Sequence, residues 1–118
     1  MHPKDALGRY GEDLAEEHLR RQGMVILARN WRCPVGELDI VARDGSTLVI
    51  CEVKTRRSRA YGSPLEAVGP RKLRRLRELA LRWLDDEGIH VPDIRFDVIG
   101  ILQPATGRPI LEHVRGVA

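Results

Sequence analysis

Two short runs rich in β-branched residues, Glu37 to Ala42 and Leu48 to Lys54, are separated by Arg43-Asp44-Gly45-Ser46. Asp-Gly between such runs is a strong hairpin signal, because both residues tolerate positive φ. Side chains alternate along a strand, so Leu48, Ile50, Glu52 and Lys54 share one face while the apolar Val49, Cys51 and Val53 share the other. Val49, Cys51 and Val53 are therefore expected in the core, and Glu52 and Lys54 project together on the opposite face, about 7 Å apart along the strand. A two-residue Asp44-Gly45 turn sets Arg43 opposite Ser46, Asp39 opposite Ile50 and Glu37 opposite Glu52. In that register Asp39 is a diagonal neighbour of Glu52, within reach of one shared ion. A one-residue slip would send the two acids to opposite faces.

Carboxylates crowded on one strand face repel, and a divalent cation removes the penalty. Oxygen donors with few nitrogens or sulfurs suit Mg²⁺ or Mn²⁺ rather than zinc. The main-chain carbonyl of Val53, between Glu52 and Lys54, is a further oxygen donor. Glu12 is the third candidate acid. It borders the apolar stripe of an expected helix from Ala6 to about Gln22, where Leu7, Gly11, Leu14, Ala15 and His18 recur at helical spacing. Gly8 and Gly11 permit close approach of that helix to a sheet. The bland alternative is a solvated strand face with ordinary ion pairs and a helix-edge charge at Glu12.

The remaining elements follow from breakers and periodicity. Gly23 stops the first helix, and Met24 to Trp31 is short and apolar enough for a strand ending at the turn Cys33-Pro34-Val35-Gly36. Ser63-Pro64-Leu65-Glu66 has the form of a capping box opening a single short turn. Gly69-Pro70 breaks it, and a second helix restarts at Pro70 and runs to about Glu87, with Leu73, Leu76, Ala80, Trp83 and Leu84 on one face and Gly88 closing it. Ile94 to Leu102 reads as a strand and Ile110 to Val114 as a weaker edge strand. The order α-β-β-β-α-β-β predicts an α/β protein, a mixed sheet with helices packed on it. At 118 residues the chain is expected to be one domain, residues 1–118, burying about two-thirds of its extended-chain surface. Two cysteines and four scattered histidines give no zinc pattern. The first residues lack the apolar stretch of a signal peptide, and no window approaches the ~18 apolar residues of a membrane span, so a cytoplasmic protein without membrane contact is expected.

Gly11-Glu12, then Gly36-Glu37-Leu38-Asp39-Ile40-Val41, then Cys51-Glu52-Val53-Lys54-Thr55-Arg56, resemble the YraN-like family of small bacterial proteins. Ser63-Pro64-Leu65-Glu66-Ala67-Val68 and Arg95-Phe96-Asp97-Val98 resemble its later blocks, so the likeness covers about residues 5–113. An Asp followed by Glu-x-Lys is weak evidence alone; ordered blocks at the right separations are specific. The family is related to archaeal Holliday-junction resolvases and restriction endonucleases, the PD-(D/E)xK nuclease-like superfamily. The resemblance implies a restriction-endonuclease-like three-layer fold, a central mixed sheet flanked by helices. It carries metal binding onto Asp39 and Glu52, the lysine role onto Lys54 and the helical acid onto Glu12. Leu38 stands where the superfamily's name has proline, as in many resolvase-like relatives. The implied activity is Mg²⁺-dependent phosphodiester hydrolysis, although the superfamily fold also hosts members that do not cleave. A homodimer is implied by the resolvase relatives.

Half the basic residues fall between Lys54 and Arg82, opposed there only by Glu66 and Glu78, although the net charge of the chain is just +3. Arg56, Arg57, Arg71, Lys72 and Arg75 are the expected contacts to a polyanion, with arginines tracking a phosphate backbone beside the acidic pocket. With 4% aromatic residues, base stacking has little material, so phosphate contacts and strong salt dependence are expected. Tyr61-Gly62 lies where a loop could touch substrate. A metal-dependent nuclease acting on DNA, on branched or repair and recombination intermediates, is the leading reading. A non-catalytic nucleic-acid-binding protein that keeps the fold is the second, and an interaction module whose basic helix meets an acidic protein the third.

Overall fold

The computed structural model describes residues 6–58, 63, 66 and 68–117. Helix α1 (Ala6–Arg21) is followed by strands β1 (Val25–Cys33), β2 (Gly36–Asp44) and β3 (Thr47–Arg56), helix α2 (Pro70–Glu87), and strands β4 (Asp93–Leu102) and β5 (Ile110–Val114). The five strands form one mixed sheet in the order β1-β2-β3-β4-β5, antiparallel throughout except for the parallel pair β3 and β4. A parallel pair needs a crossover, and α2 supplies it.

Each helix covers one face of the sheet. On one face Ala15 and Leu19 of α1 pack with Ile40, Ala42, Val49, Cys51, Val53 and Ile99. On the other, Leu76, Leu79, Ala80 and Trp83 of α2 pack with Val41, Leu48, Ile50 and Phe96. This is a three-layer α/β fold, with the element order read from the sequence. The apolar alternation of β3 places Val49, Cys51 and Val53 in the core, as expected. α2 begins on Pro70 and is capped at its C-terminus by Gly88, which takes the left-handed conformation with φ 64°. Among the described residues no helix is long and apolar enough to cross a membrane. Of the expected Ser63–Glu66 capping box, only the bond from the Glu66 amide to the Ser63 carbonyl (3.1 Å) is described. Arg59, Tyr61, Gly62, Pro64 and Leu65 lie outside the described residues.

The hairpin register differs from expectation. Asp44 pairs with Thr47 and Ile40 with Cys51, so the turn is Gly45-Ser46, with Gly45 at φ 62°. Arg43 faces Leu48 rather than Ser46, and Glu37 faces Arg32 across the β1–β2 ladder rather than Glu52. The shift is two residues, which preserves faces. Extended by one step past the last pair, Ile40–Cys51, this register brings Asp39 level with Glu52 rather than diagonal to it.

β2 also breaks its alternation at Asp39. Ile40 packs on the α1 face and Val41 on the α2 face, yet Leu38 joins the α2 face as well. Across the β1–β2 ladder, Arg29 pairs with Ile40 and Trp31 with Leu38, while the intervening Asn30 has φ 51°. A left-handed residue re-aims a strand, and asparagine tolerates it better than most side chains. The two strands therefore swivel together at Asn30 and Asp39.

At the far side of the sheet a buried polar cluster fastens the C-terminal segment. Asp97 of β4 accepts bonds from Arg95 Nε (2.9 Å) and from the Gly116 amide (3.1 Å), and it meets His113 Nε2 of β5 at 2.8 Å. His113 Nδ1 in turn lies 3.0 Å from His18 Nε2 of α1. Helix, sheet edge and tail are thus joined through one carboxylate.

Candidate functional site

β2 and β3 part beyond the Ile40–Cys51 rung, and the candidate residues sit in that fork. β3 continues beside β4 alone, Glu52 level with Val98 and Lys54 with Gly100. The Val53 amide, which β2 no longer reaches, donates to Asp39 Oδ2 at 2.9 Å. A buried amide without a partner is costly, so this bond holds the Asp39 carboxylate against the backbone between Glu52 and Lys54.

Glu52 and Asp39 are both buried, at 5% and 6% exposure. Burial raises the Glu52 pKa above the ordinary carboxylate value and the neighbouring Asp39 charge raises it further, while Lys72 and Lys54 oppose both. Lys72 Nζ of α2 is 3.2 Å from Glu52 Oε1, and Lys54 Nζ is 3.9 Å from the same oxygen. Both ammonium groups remain about one-third exposed. The site is therefore a carboxylate pair at the base of a fork, capped by two cations that face solvent.

Lys72 was expected among the phosphate contacts; the structure seats it in the carboxylate site. The placement has a physical cause. The crossover between parallel strands must lie over one face of β3 and β4, and the first turn of α2 passes above Glu52. Arg71 and Arg75 are exposed on the same helix, with the Arg75 chain near Gly36 at the start of β2. Arg56 and Arg57 follow Lys54 at the end of β3.

Glu12 is more deeply placed than a helix-edge charge, at 2% exposure. Gly11 brings α1 so close to β3 that a Cβ there would stand 1.8 Å from Thr55 Oγ1. The Glu12 carboxylate meets Arg29 of β1 at 3.4 Å, and Arg29 also binds Asp13 (2.8 Å) and Glu16 (3.3 Å). The structure thus brings together Asp39, Glu52, Lys54 and Lys72, and pairs Glu12 with an arginine on the α1 face. Among the described residues, no three His, Cys, Asp or Glu side chains are grouped so as to hold a metal ion.

Two carboxylates are nonetheless a sufficient protein donor set for Mg²⁺ or Mn²⁺. Mg²⁺ keeps several waters and takes one or two carboxylates plus substrate oxygens rather than an all-protein cage. Asp39, Glu52 and the Val53 carbonyl fit that chemistry, and the thiol of Cys51 does not compete. Burial, with the charges of Asp97, Asp39 and Glu52, pushes that thiol well above its usual range.

The chain has clear relatives among known proteins. The model of the family described as "Uncharacterised protein family UPF0102" matches residues 11–101, a span that includes Glu12, Asp39, Glu52, Lys54 and Lys72. A UPF0102 protein of Nocardioides is 58% identical over 114 residues, covering 97% of this chain and 92% of its own. One of Streptomyces griseus is 56% identical across the full length of both chains, and one of Acidothermus cellulolyticus is 56% identical over 96% of this chain and 93% of its own. On the strength of that match, which runs from the first helix to the fourth strand, the chain belongs to the UPF0102 family.

Proposed function

We infer that this protein is a metal-dependent phosphodiesterase of the PD-(D/E)xK superfamily, acting on nucleic acid and most naturally on DNA. The observation that carries the reading is the buried Asp39–Glu52 pair at a strand fork, with two lysines closing over it. Carboxylates facing a polyanion oppose binding, so a site built this way makes chemical sense around a cation. Asp39, Glu52 and the Val53 carbonyl would hold Mg²⁺ or Mn²⁺. When bound, the ion polarises a phosphate oxygen and makes water a better nucleophile.

The chain's own groups do the rest. The Val53 amide fixes the Asp39 carboxylate, so its orientation is set before substrate arrives. Lys54, partly exposed beside Glu52, faces the place where a phosphate would bind, and it orients the attacking water and offsets charge developing on the phosphoryl oxygens. Lys72 opposes the rise that burial and Asp39 impose on the Glu52 pKa and so favours its charged form. Arg56, Arg57, Arg71 and Arg75 steer and hold the backbone on either side.

The second reading, a nucleic-acid-binding protein that retains the fold without cleaving, draws on one observation: the Glu52 charge is already met by two ammonium groups. Linear, nicked, flapped and four-way-junction substrates incubated with Mg²⁺ or Mn²⁺ separate the two. Cleavage by the wild type that is lost in Lys54→Ala and Asp39→Ala supports hydrolysis. Binding without metal-dependent cutting on any substrate supports the second reading.

A further inference from the structure

The flank of α2 turned away from Glu52 carries an apolar strip. Leu81 is 55% exposed in mid-helix, and Ile89, just past the helix end, is 39% exposed. Beside Leu81 runs a groove of about 790 Å³ lined by Leu73, Arg74, Arg77, Leu81 and Asp85, among others. Leu81 and Asp85 also border a second groove, of about 340 Å³, that continues to Ile89, Val91 and Ile94. A large leucine held in water at the centre of a continuous apolar strip marks an interaction surface rather than scattered surface hydrophobicity. This flank looks toward β4, where the Arg77 guanidinium sits 5.9 Å from the centre of the Phe96 ring. Lys72, by contrast, points to β3.

Glu78 and Arg82 line the same groove and pair with each other; the other charges along the strip are segregated about Leu81. Arg74 and Arg77 precede it and Asp85 follows it. Among the described residues, neither Arg74 nor Asp85 has an ion-pair partner within the chain. Glu78 does, bonding Arg82 one turn on at 3.7 Å. A basic half and an acidic end on one helix flank are self-complementary in an antiparallel pair. At 1.5 Å per residue, residues four before and four after Leu81 lie about 6 Å either side of it. A twofold axis through Leu81 therefore sets Arg77 of one copy across from Asp85 of the other, twice, with Arg74 one turn beyond.

We propose that this flank of α2 is an isologous interface with a second copy of the same chain, the two helices packing antiparallel across Leu81. The same patch meets itself, as twofold dimers require. Leu81 supplies the apolar centre, with Leu73 of one copy about 12 Å from the axis and level with Ile89 of the other, and the Arg77–Asp85 pairs fix direction and exclude the parallel arrangement, which would oppose like charges. The interface leaves the Lys72 flank of both helices uncovered and does not rest on the hydrolytic reading.

Sedimentation equilibrium on the full chain, from about 10 µM to about 1 mM, reads the association directly. A monomer–dimer equilibrium is expected, weakened at least about tenfold by Leu81→Glu, which buries a charge at the centre of the interface. Asp85→Arg is expected to weaken it similarly, with no intrachain ion pair lost. Adding Arg77→Asp to Asp85→Arg recovers dimerisation by reversing the charge pattern, with circular dichroism checking that the Phe96 contact is not needed for folding. A chain that stays monomeric throughout, a dimer indifferent to Leu81→Glu, or one that Asp85→Arg leaves unchanged would overturn the proposal. So would a monomer whose Leu81→Glu variant loses nucleic-acid affinity, since the groove would then serve that ligand.

Discussion

Lys72 Nζ lies 3.2 Å from Glu52 Oε1, closer than Lys54, the lysine two residues along the same strand, at 3.9 Å. A group on the crossover helix is thus the nearer cation to the buried carboxylate. If Lys72 keeps Glu52 ionised and oriented, Lys72→Ala lowers the cleavage rate about tenfold, as loss of one charge-assisted contact does. Lys54→Ala, which removes the group facing the phosphate, lowers it about a hundredfold or more. Rates measured across Mn²⁺ concentration separate the roles: excess metal restores part of the Lys72→Ala loss and little of the Lys54→Ala loss. Lys72→Ala at wild-type rate would reduce that pairing to a structural contact.

Gly11 is required by proximity. An added Cβ would stand 1.8 Å from Thr55 Oγ1 and 2.9 Å from Thr55 Cβ, so α1 must move off β3 or β3 must yield. Alanine is the better helix former by about 1 kcal/mol. Overpacking at a helix–sheet contact outweighs it, and Gly11→Ala is expected to destabilise the fold by about 1–3 kcal/mol. Thr55→Ala in the same chain recovers part of the loss, because the closest atom is gone while Cβ remains. Urea midpoints of the wild type and the two variants check this; a Gly11→Ala chain as stable as wild type would mean that the helix shifts at no cost.

Acid stability should fall in two steps. Burial, then the positive charge of its surroundings, lowers the His18 pKa below 6.5, so the unfolded chain binds that proton first and stability declines as pH drops below about 6.5. Burial alone would raise the Asp97 pKa, but bonds from His113, Arg95 and the Gly116 amide outweigh it and bring it down to about 2. Its folded value is the depressed one, so its contribution is complete above the ordinary value of 3.8 and is lost as pH falls from there through about 2. The shift corresponds to about 2 kcal/mol. His18→Gln removes the first step. Asp97→Asn is less stable at neutral pH by about 3 kcal/mol, as when a buried pair loses one partner, and its curve converges on the wild type near the acid end. Denaturant titrations at stepped pH read both; a single transition unaffected by either substitution contradicts the assignment.

The element order, the two helices with their caps and the faces of β3 were legible in the sequence because each rests on local chemistry. Proline at 70, glycine at 88 and alternating valines need no knowledge of the rest of the molecule. The turn is ambiguous by one residue in the sequence because Asp44-Gly45 and Gly45-Ser46 both satisfy hairpin rules, and only the ladder distinguishes them. The shift is even and so preserves faces along the paired rungs, and Asp39 still comes beside Glu52, whose pKa its charge raises. The swivel of β2 was not legible, since strict alternation was assumed; Asn30, an asparagine within an otherwise strand-like run, was the available signal. Lys72 was read as one charge in a basic helix because its partner is set by where the crossover passes, a tertiary fact. For Glu12, helical angle and the flanking Gly8 and Gly11 signal a close helix–sheet approach, but its partner Arg29 lies on another strand and is not readable from local sequence.

Asp39 does two things that a pair of substitutions can separate. Its Oδ2 accepts the Val53 amide at 2.9 Å, a structural task, and its charge would serve a cation, a chemical one. Asparagine keeps an oxygen that can accept the amide, whereas alanine leaves a buried N–H without a partner at a cost of about 1–3 kcal/mol. Asp39→Ala is therefore expected to lower both stability and any metal response, and Asp39→Asn to lower the metal response alone. Thermal unfolding with and without Mn²⁺ reads both at once, because a ligand that binds only the folded state raises the midpoint. Wild type is expected to gain stability with Mn²⁺, Asp39→Asn to melt near the metal-free wild type whether or not Mn²⁺ is added, and Asp39→Ala to melt lower and equally without response. A wild-type midpoint insensitive to millimolar Mn²⁺ and Mg²⁺ would remove the cation from the fork, and with it the hydrolytic reading. An Asp39→Asn chain that still responds would instead move the cation to Glu52 and the Val53 carbonyl, away from Asp39.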